Sequence, residues 1–258
     1  MIDTHCHLTH AKLADDRDAV VERAREAGLV ACITIGTGVE DAGAVRAAME
    51  AYPGFLHGTA GLDPFTSHRA GAAFDTEFDA LARLLGGGGF CAVGEIGLDY
   101  HYDLDPKPVQ RERFERQLRL AVQRSLPVVI HVREAHEDMI DVLRANPDNH
   151  GVIHSFTAGP SEAERYVELG WHLAFNGVLT FKNAAEVREA AKLAPADRLL
   201  IETDSPYLAP VPMRGRRCEP AYVAHTLEAL ATTRGESRES VRAATTENAR
   251  NLFGLGRT

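Results

Sequence analysis

The sequence predicts an α/β protein in which eight parallel strands close into a (β/α)₈ barrel of the TIM type, as a single domain over residues 1–258. Short β-rich apolar runs alternate with longer segments of helical periodicity from one end of the chain to the other. Strict alternation of this kind indicates a parallel sheet. Eight strand–helix units are also the number that closes a barrel. No Pro/Ser-rich linker or low-complexity segment marks a domain boundary.

The predicted strands are Met1–His7, Val30–Gly36, Phe55–Leu62, Cys91–Leu98, Pro127–Arg133, Gly151–Phe156, Trp171–Leu179 and Leu199–Thr203. The predicted helices are Asp15–Ala27, Glu40–Ala51, Phe74–Leu85, Pro108–Arg124, Glu134–Ala145, Ser161–Leu169, Ala184–Lys192, Pro220–Arg234 and Arg238–Leu252.

A doubly wound open sheet is the competing fold, but it requires a glycine-rich phosphate loop after the first strand. His-Cys-His stands there instead, and the glycine run Gly86–Gly89 precedes a strand and predicts a flexible turn.

Composition and charge restrict the classes of partner. The formal net charge is −9, so the surface as a whole is expected to repel nucleic acid and anionic membranes. A nucleic-acid substrate would have to meet a local basic site or metal ions. Four cysteines without a CxxC pair, no signal-like N-terminus and no apolar run of about 20 residues predict a cytoplasmic protein without a membrane segment. No obligate protein partner is indicated.

Ionisable residues follow the apolar runs at the carboxyl ends of five predicted strands. His5 and His7 share a strand face because side chains two residues apart point the same way. Barrel enzymes carry their sites at this end of the strands. One such histidine alone would be read as a hydrogen-bonded core residue. Four imidazoles and two carboxylates at one end are instead typical ligands of Zn²⁺, Mn²⁺ and related ions. The predicted metal ligands are His5, His7, Glu95, His131, His154 and Asp204.

Six ligands are too many for one catalytic ion that keeps an open coordination position. Two ions that share a carboxylate fit better, with His5, His7 and Asp204 on one ion and a histidine pair, His131 and His154, on the other. Glu95 could bridge them. Two ions about 3.5–4 Å apart can activate one water and stabilise both oxygens of a displacement, so the predicted reaction class is hydrolysis.

The chain resembles the TatD family of metal-dependent deoxyribonucleases, within the amidohydrolase-like barrels. The motifs that carry the resemblance are IDTHCHL, VGEIGLDY, PVVIHVREA, VIHSFTAG, FNGVLTFKNA and IETDSPYLAP, in this order along the chain. The resemblance implies hydrolysis of phosphodiester bonds in DNA, at ends or in single strands. It also implies two divalent ions, with Mg²⁺, Mn²⁺ and Zn²⁺ as candidates, held by the six residues named above.

The resemblance also suggests roles beyond the metal ligands. Arg133 is expected at the mouth of the barrel, where it could hold a phosphate oxygen, and Lys182 is a second candidate phosphate contact. Glu202 and Asp3 could orient ligands from behind. The family usually has His-Pro after the third strand, whereas this chain has Asp63-Pro64. A carboxylate donates no hydrogen bond to phosphate unless it is protonated, so Asp63 changes the expected substrate contacts.

Three functions from different classes follow. The leading hypothesis is a TatD-like nuclease in which Asp204 takes a proton from the attacking water and Glu95 and Arg133 also serve catalysis. The second is a small-molecule amidohydrolase, lactonase or phosphoesterase on the same kind of barrel, which the acidic net charge and Asp63 favour. The third, a metal-binding barrel without catalysis, is disfavoured because the ligand set is complete.

Overall fold

The structure is a computed structural model that describes residues 1–102 and 104–256. Eight strands form one sheet in chain order, and each pairs in parallel with the next. They are β1 Ile2–Cys6, β2 Ala31–Thr34, β3 Leu56–Ala60, β4 Ala92–Asp99, β5 Val128–Arg133, β6 Gly151–Ile153, β7 His172–Phe175 and β8 Leu199–Ile201.

The sheet closes where the chain leaves β8 and meets β1. Cys6 forms a parallel bridge with Ser205, and the backbone N–H of His7 donates to the Ser205 carbonyl at 2.8 Å. The N–H of Asp204 donates to the His5 carbonyl at 2.9 Å. Ligand candidates from the first and last strands are therefore held side by side by backbone hydrogen bonds. The predicted barrel is confirmed.

Helices follow the strands and surround the sheet. They are α1 Ala11–Ala14, α2 Arg17–Glu26, α3 Val39–Ala51, α4 Pro64–Ala70, α5 Phe74–Gly86, α6 Lys107–Arg124, α7 His136–Ala145, α8 Pro160–Glu168, α9 Ala185–Leu193, α10 Val223–Arg234 and α11 Arg238–Phe253. Every predicted helix is present with small shifts at its ends, and the short helices α1 and α4 were not predicted. The predicted seventh strand is too long. The chain leaves β7 after Phe175 because Asn176 caps a 3₁₀ helix at Gly177–Thr180.

Two buried layers fill the molecule. The inner layer contains alternate residues from most of the strands, such as Val129, Val152 and Leu200, together with Leu252 and Phe253 of α11. Residues from strands all around a closed sheet can meet only inside it, so this layer is the barrel interior. The outer layer packs the other strand face against the helices. The apolar side chains fill the barrel interior, and the polar side chains lie at the carboxyl end of the strands.

Other predictions concern the compartment and the extent of the domain. The four cysteines are free, as expected for thiols that act as small apolar groups. Within residues 1–102 and 104–256, no helix combines the length and the apolar character needed to cross a bilayer. The described residues form one barrel. The predicted domain of residues 1–258 includes 103, 257 and 258, which lie outside the described residues.

Candidate metal centre

The six predicted ligands converge at the carboxyl end of the barrel. Two of them lie where strand pairing is irregular: the register shifts between Asp3 and Cys6 in β1, around His5, and between Val93 and Ile96 in β4, around Glu95. An irregularity of this kind can re-aim a side chain. It places His5 and Glu95 toward the barrel mouth although Ile2 and Ala92 of the same strands belong to the interior layer.

Glu95 lies at the centre of the cluster. Its Oε1 atom is 2.9 Å from His131 Nδ1 and 3.1 Å from His154 Nε2. Its Oε2 atom is 3.5 Å from His5 Nε2 and 4.0 Å from His7 Nε2. Each carboxylate oxygen therefore faces a different pair of imidazoles, which is the arrangement expected of a carboxylate shared by two ions.

Asp204 completes the group around His5 and His7. Its Oδ1 atom is 3.7 Å from His5 Nε2 and 3.4 Å from His7 Nε2, and those two ring nitrogens are 3.2 Å apart. Asp204 has a φ of 58°, a left-handed conformation that aspartate tolerates better than most residues. The His5 ring stacks on that of His154, with centroids 3.9 Å apart, so the two halves of the cluster are in contact.

Charges in this cluster are strongly coupled. Burial opposes the ionised form of Glu95, but His154 and hydrogen bonds from the neighbouring imidazoles dominate and hold the pKa of Glu95 well below its ordinary value. Burial likewise opposes charge on His131, yet Asp99 and Glu95 raise its pKa to about 9. The pKa of His154 is also raised, by Glu95 and Glu202 against the effect of burial. The carboxylates therefore make this recess a place that favours positive charge.

The donor set fits divalent cations. Three triads of the described residues bring ligand atoms within 4.8 Å of one another, namely His5–His7–Glu95, Glu95–His131–His154 and His5–His154–Glu202. The first two share Glu95 and contain the predicted histidine pairs, whereas Asp204, predicted with His5 and His7, is in none of the three triads. Imidazole nitrogens and carboxylate oxygens are ligands for Zn²⁺ and Mn²⁺. A cation would also accommodate His5 Nε2 and His7 Nε2, which lie only 3.2 Å apart.

Two further carboxylates lie behind the imidazoles. Glu202 Oε1 lies 3.4 Å from His154 Nδ1 and accepts a hydrogen bond from the Ser155 N–H at 2.6 Å, which agrees with its suggested orienting role. Asp99 was not predicted. Its Oδ2 atom lies 3.0 Å from His131 Nε2, so Asp99 fixes the ring and leaves Nδ1 toward Glu95. The sequence feature that could have identified Asp99 is its position four residues after Glu95 in the same strand.

Asp3 acts on the backbone rather than on a ligand ring. Its carboxylate accepts hydrogen bonds from the N–H of Thr203 at 2.9 Å and the Thr203 hydroxyl at 2.7 Å, and from the His5 N–H at 3.3 Å. Burial raises its pKa to about 8. Asp3 thus ties the end of β1, which carries His5, to the segment after β8, which carries Asp204.

The ligand cluster forms the floor of an open cleft of about 730 Å³. Arg133 at the end of β5 and Asp63 both line it. Asp63 is also the N-cap of α4, where its Oδ1 accepts a hydrogen bond from the Thr66 N–H at 2.7 Å. Lys182 is exposed and is not among the described residues that line the cleft. Its phosphate contact stays a prediction that the cleft geometry does not support.

A parallel (β/α)₈ barrel with imidazoles and carboxylates gathered at the carboxyl ends of its strands defines the class of metal-dependent barrel hydrolases. Residues 2–254 match the family model described as TatD related DNase. The chain therefore belongs to the TatD related DNase family and is a metal-dependent hydrolase.

Three relatives illustrate the match. The 3'-5' ssDNA/RNA exonuclease TatD of Pantoea vagans is 39% identical, over 99% of this chain and 100% of that protein. The uncharacterized metal-dependent hydrolase YabD of Bacillus subtilis is 35% identical over 98% of each chain. The crystal structure of the TatD homologue YjjV from Escherichia coli superposes with a TM-score of 0.93 at 30% identity, covering 99% of this chain and 98% of that one.

Proposed function

We propose that this protein hydrolyses phosphodiester bonds of unpaired nucleic acid, with DNA ends or single strands as substrate, and that it uses two divalent metal ions. The observation that carries the proposal is the position of Glu95, whose two oxygens face two separate pairs of imidazoles. The name of the Pantoea relative, a ssDNA/RNA exonuclease, supports the substrate class.

The two half-sites divide the ligands as follows. His5, His7 and Asp204 would hold one ion, His131 and His154 the other, and Glu95 would contact both. When bound, such a pair of ions lowers the pKa of a water molecule toward neutrality and offsets negative charge on phosphate oxygens. Mg²⁺, Mn²⁺ and Zn²⁺ are the candidates, because a mixed nitrogen and oxygen ligand set accepts several ions.

Protein side chains perform the remaining steps. Asp204 lines the cleft with Oδ1 toward His5 and His7, and its carboxylate accepts the proton of the attacking water and returns it to the sugar oxygen that departs as the P–O bond breaks. Arg133 donates hydrogen bonds to the phosphate, which positions it and stabilises the charge that builds as the bond breaks. Asp99 and Glu202 keep the rings of His131 and His154 in place during the reaction.

The recessed floor favours an unpaired strand or a strand end. His5 is fully buried, and Glu95 and His154 are each 6% exposed, so a phosphate must enter the barrel mouth to reach them. An unpaired strand can lower one phosphate into such a recess, whereas a stiff duplex would have to bend or fray to bring one of its phosphates to the same depth. Because the net charge is −9, electrostatic attraction of the phosphate backbone has to come from groups in and around the cleft rather than from the surface as a whole.

The direct test is hydrolysis of end-labelled DNA oligonucleotides, single-stranded and duplex, with Mg²⁺, Mn²⁺ or Zn²⁺ supplied in turn. The proposal predicts cleavage of the single strand that a chelator abolishes and that the added ion restores. The matched control is His131→Ala combined with His154→Ala, which removes one half-site. Absence of cleavage with every ion by protein of confirmed metal content, or equal cleavage by the control variant, would contradict the proposal.

A small-molecule ester or amide hydrolase is the second candidate. It is favoured by Asp63, which lines the cleft together with Glu95 and adds a second acidic group to it. A carboxyl group in this position suits a neutral or cationic substrate better than a phosphate. Hydrolysis of lactones or of simple phosphate esters at rates well above those for oligonucleotides would favour this second function. The expected cytoplasmic location remains a prediction under either function.

A further inference from the structure

Two tyrosines on the cleft have unusual exposure for aromatic residues. Among the described residues, Tyr102 and Tyr207 are the large aromatic side chains with high exposure, at 47% and 45%, and both line the cleft. The other large exposed apolar side chains are aliphatic and lie outside the cleft lining. Exposed aromatic rings that gather at a polar recess are typical of binding sites rather than of stabilising packing.

Tyr102 stands on one wall and is attached to the metal-ligand strands. Its backbone N–H donates to Asp99 Oδ1 at 3.1 Å, and Asp99 holds His131 through its other oxygen. The Arg133 guanidinium lies 5.0 Å from the ring centroid, and the Phe65 ring packs against it in a T-shaped arrangement with centroids 5.3 Å apart. The ring, a cation and a ligand-orienting carboxylate thus form one unit.

Tyr207 stands on the opposite wall with a similar set of neighbours. Its backbone N–H donates to the Asp204 carbonyl at 2.9 Å, its hydroxyl lies 3.1 Å from His10 Nε2, and the Lys12 ammonium is 5.6 Å from the ring centroid. These contacts belong to the segments after β8 and β1. In a closed sheet ordered β1 to β8, the β8–β1 side faces the β4–β5 side that carries Tyr102.

We propose that Tyr102 and Tyr207 are stacking subsites for the two nucleobases that flank the scissile phosphate, that Arg133 reaches the scissile phosphate from beside Tyr102, and that Lys12 holds the phosphate next to the base on Tyr207. This inference rests on the proposed function and deepens it. Every base has a π-face, so stacking on a ring binds single strands without strong sequence preference. The pairing of each ring with a cation provides one contact for a base and one for the adjoining phosphate.

The geometry explains how an acidic protein can bind nucleic acid. Phosphate attraction comes from Arg133 in the cleft, from Lys12 beside the Tyr207 ring and from the metal centre, while the aromatic rings add affinity that does not depend on charge. Bases can reach the rings only when they are unpaired, because in a duplex both faces of each internal base are already stacked. The two subsites therefore select unpaired nucleotides on both sides of the phosphate that lies over Glu95.

The test measures binding separately from hydrolysis. A fluorescent oligothymidylate with hydrolysis-resistant phosphorothioate linkages is compared by anisotropy with a matched strand of abasic deoxyribose units, using metal-loaded protein. The wild type should bind the thymidylate roughly 10-fold or more tightly than the abasic strand. Tyr102→Ala and Tyr207→Ala should each remove much of that advantage and leave abasic-strand affinity nearly unchanged. Tyr→Phe at either position should restore it.

Tyr52→Ala is the matched control, because Tyr52 caps the end of α3 just before β3, at the opposite end of the barrel. This variant should behave as the wild type does, and melting temperatures confirm that each variant folds. Equal binding of both strands by the wild type, or an undiminished thymidylate advantage in both alanine variants, would overturn the inference. Base-dependent binding without hydrolysis of the unmodified strand would support the subsites and contradict the proposed function.

Discussion

At the scale of single residues, the proposed hydrolysis depends on Asp204 as the acceptor of the water proton. We predict that Asp204→Asn lowers kcat by about 10²- to 10⁴-fold, the usual contribution of a positioned proton acceptor. An amide oxygen can still contact an ion, and asparagine tolerates the left-handed backbone with φ of 58°, so folding and metal binding should be largely kept. Steady-state kinetics on an oligonucleotide at saturating metal is the measurement. A near-normal kcat would place the proton acceptor elsewhere, with Asp63 the next residue to examine.

Arg133 is predicted to act mainly on substrate binding. Arg133→Ala should raise KM for oligonucleotides by about 10- to 100-fold, the range for a hydrogen bond to a charged group, with a smaller change in kcat. The same variant should change KM little for an uncharged ester, since no phosphate is held. The control is Arg25→Ala on α2, at a surface remote from the cleft. An equal effect of Arg133→Ala on charged and uncharged substrates would contradict a phosphate contact.

The sequence was informative about ligand candidates because each follows an apolar run at a strand end. It was less informative about residues that act through them. Asp99 was missed because its partner, His131, lies on the next strand and the pairing register was not available from the sequence alone. Tyr102 and Tyr207 were not singled out because exposure depends on how the loops after β4 and β8 turn. The exposed position of Lys182 depends on the 3₁₀ helix that precedes it.

At the scale of elements, the close pairing of β4 with β5 depends on glycine. Gly97 has a φ of 154°, and a Cβ atom there would overlap the carbonyl oxygen of His131. We predict that Gly97→Ala lowers the free energy of unfolding by at least about 2 kcal/mol and weakens metal binding, because β5 would move away from Glu95. Thermal melts and metal titrations measure the two effects.

Gly43→Ala is the matched control for the same substitution. Gly43 lies inside α3 with no atom within 4 Å of an added Cβ. Alanine there should stabilise the protein by about 0.5–1 kcal/mol, because glycine is a poor helix former. If Gly97→Ala were as stable as the wild type, the tight packing of β4 on β5 would not be what positions His131.

Element boundaries were predicted less well than element order. Helix α4 was not predicted, although aspartate as N-cap followed by proline is a common helix start. The seventh strand was extended to Leu179 because apolar residues continue past Phe175, where Asn176 begins a 3₁₀ helix instead. The register shifts in β1 and β4 also leave no mark in the hydrophobic pattern.

At the scale of the whole molecule, the apolar interior and the metal centre occupy different ends of the barrel, so stability and activity should separate. We predict that His5→Ala combined with His154→Ala abolishes metal-dependent hydrolysis and leaves the barrel folded. Both rings lie at the carboxyl end, whereas the interior layer and α11 fill the barrel below them. Circular dichroism and the oligonucleotide assay check the two parts. Full activity in the folded double variant would remove the metal-site assignment.

Two ions that share Glu95 are the basis of the proposed reaction, and the metal content per chain shows whether both are present. Wild-type protein loaded with Mn²⁺ or Zn²⁺ and then dialysed should retain two ions per chain. Glu95→Gln should lower the occupancy of both, because Oε1 and Oε2 face different imidazole pairs. Glu77→Gln on α5, at a half-buried carboxylate outside the cleft lining, should retain two. One ion in the wild type, or the loss of one ion with the other fully kept in Glu95→Gln, would contradict the shared carboxylate.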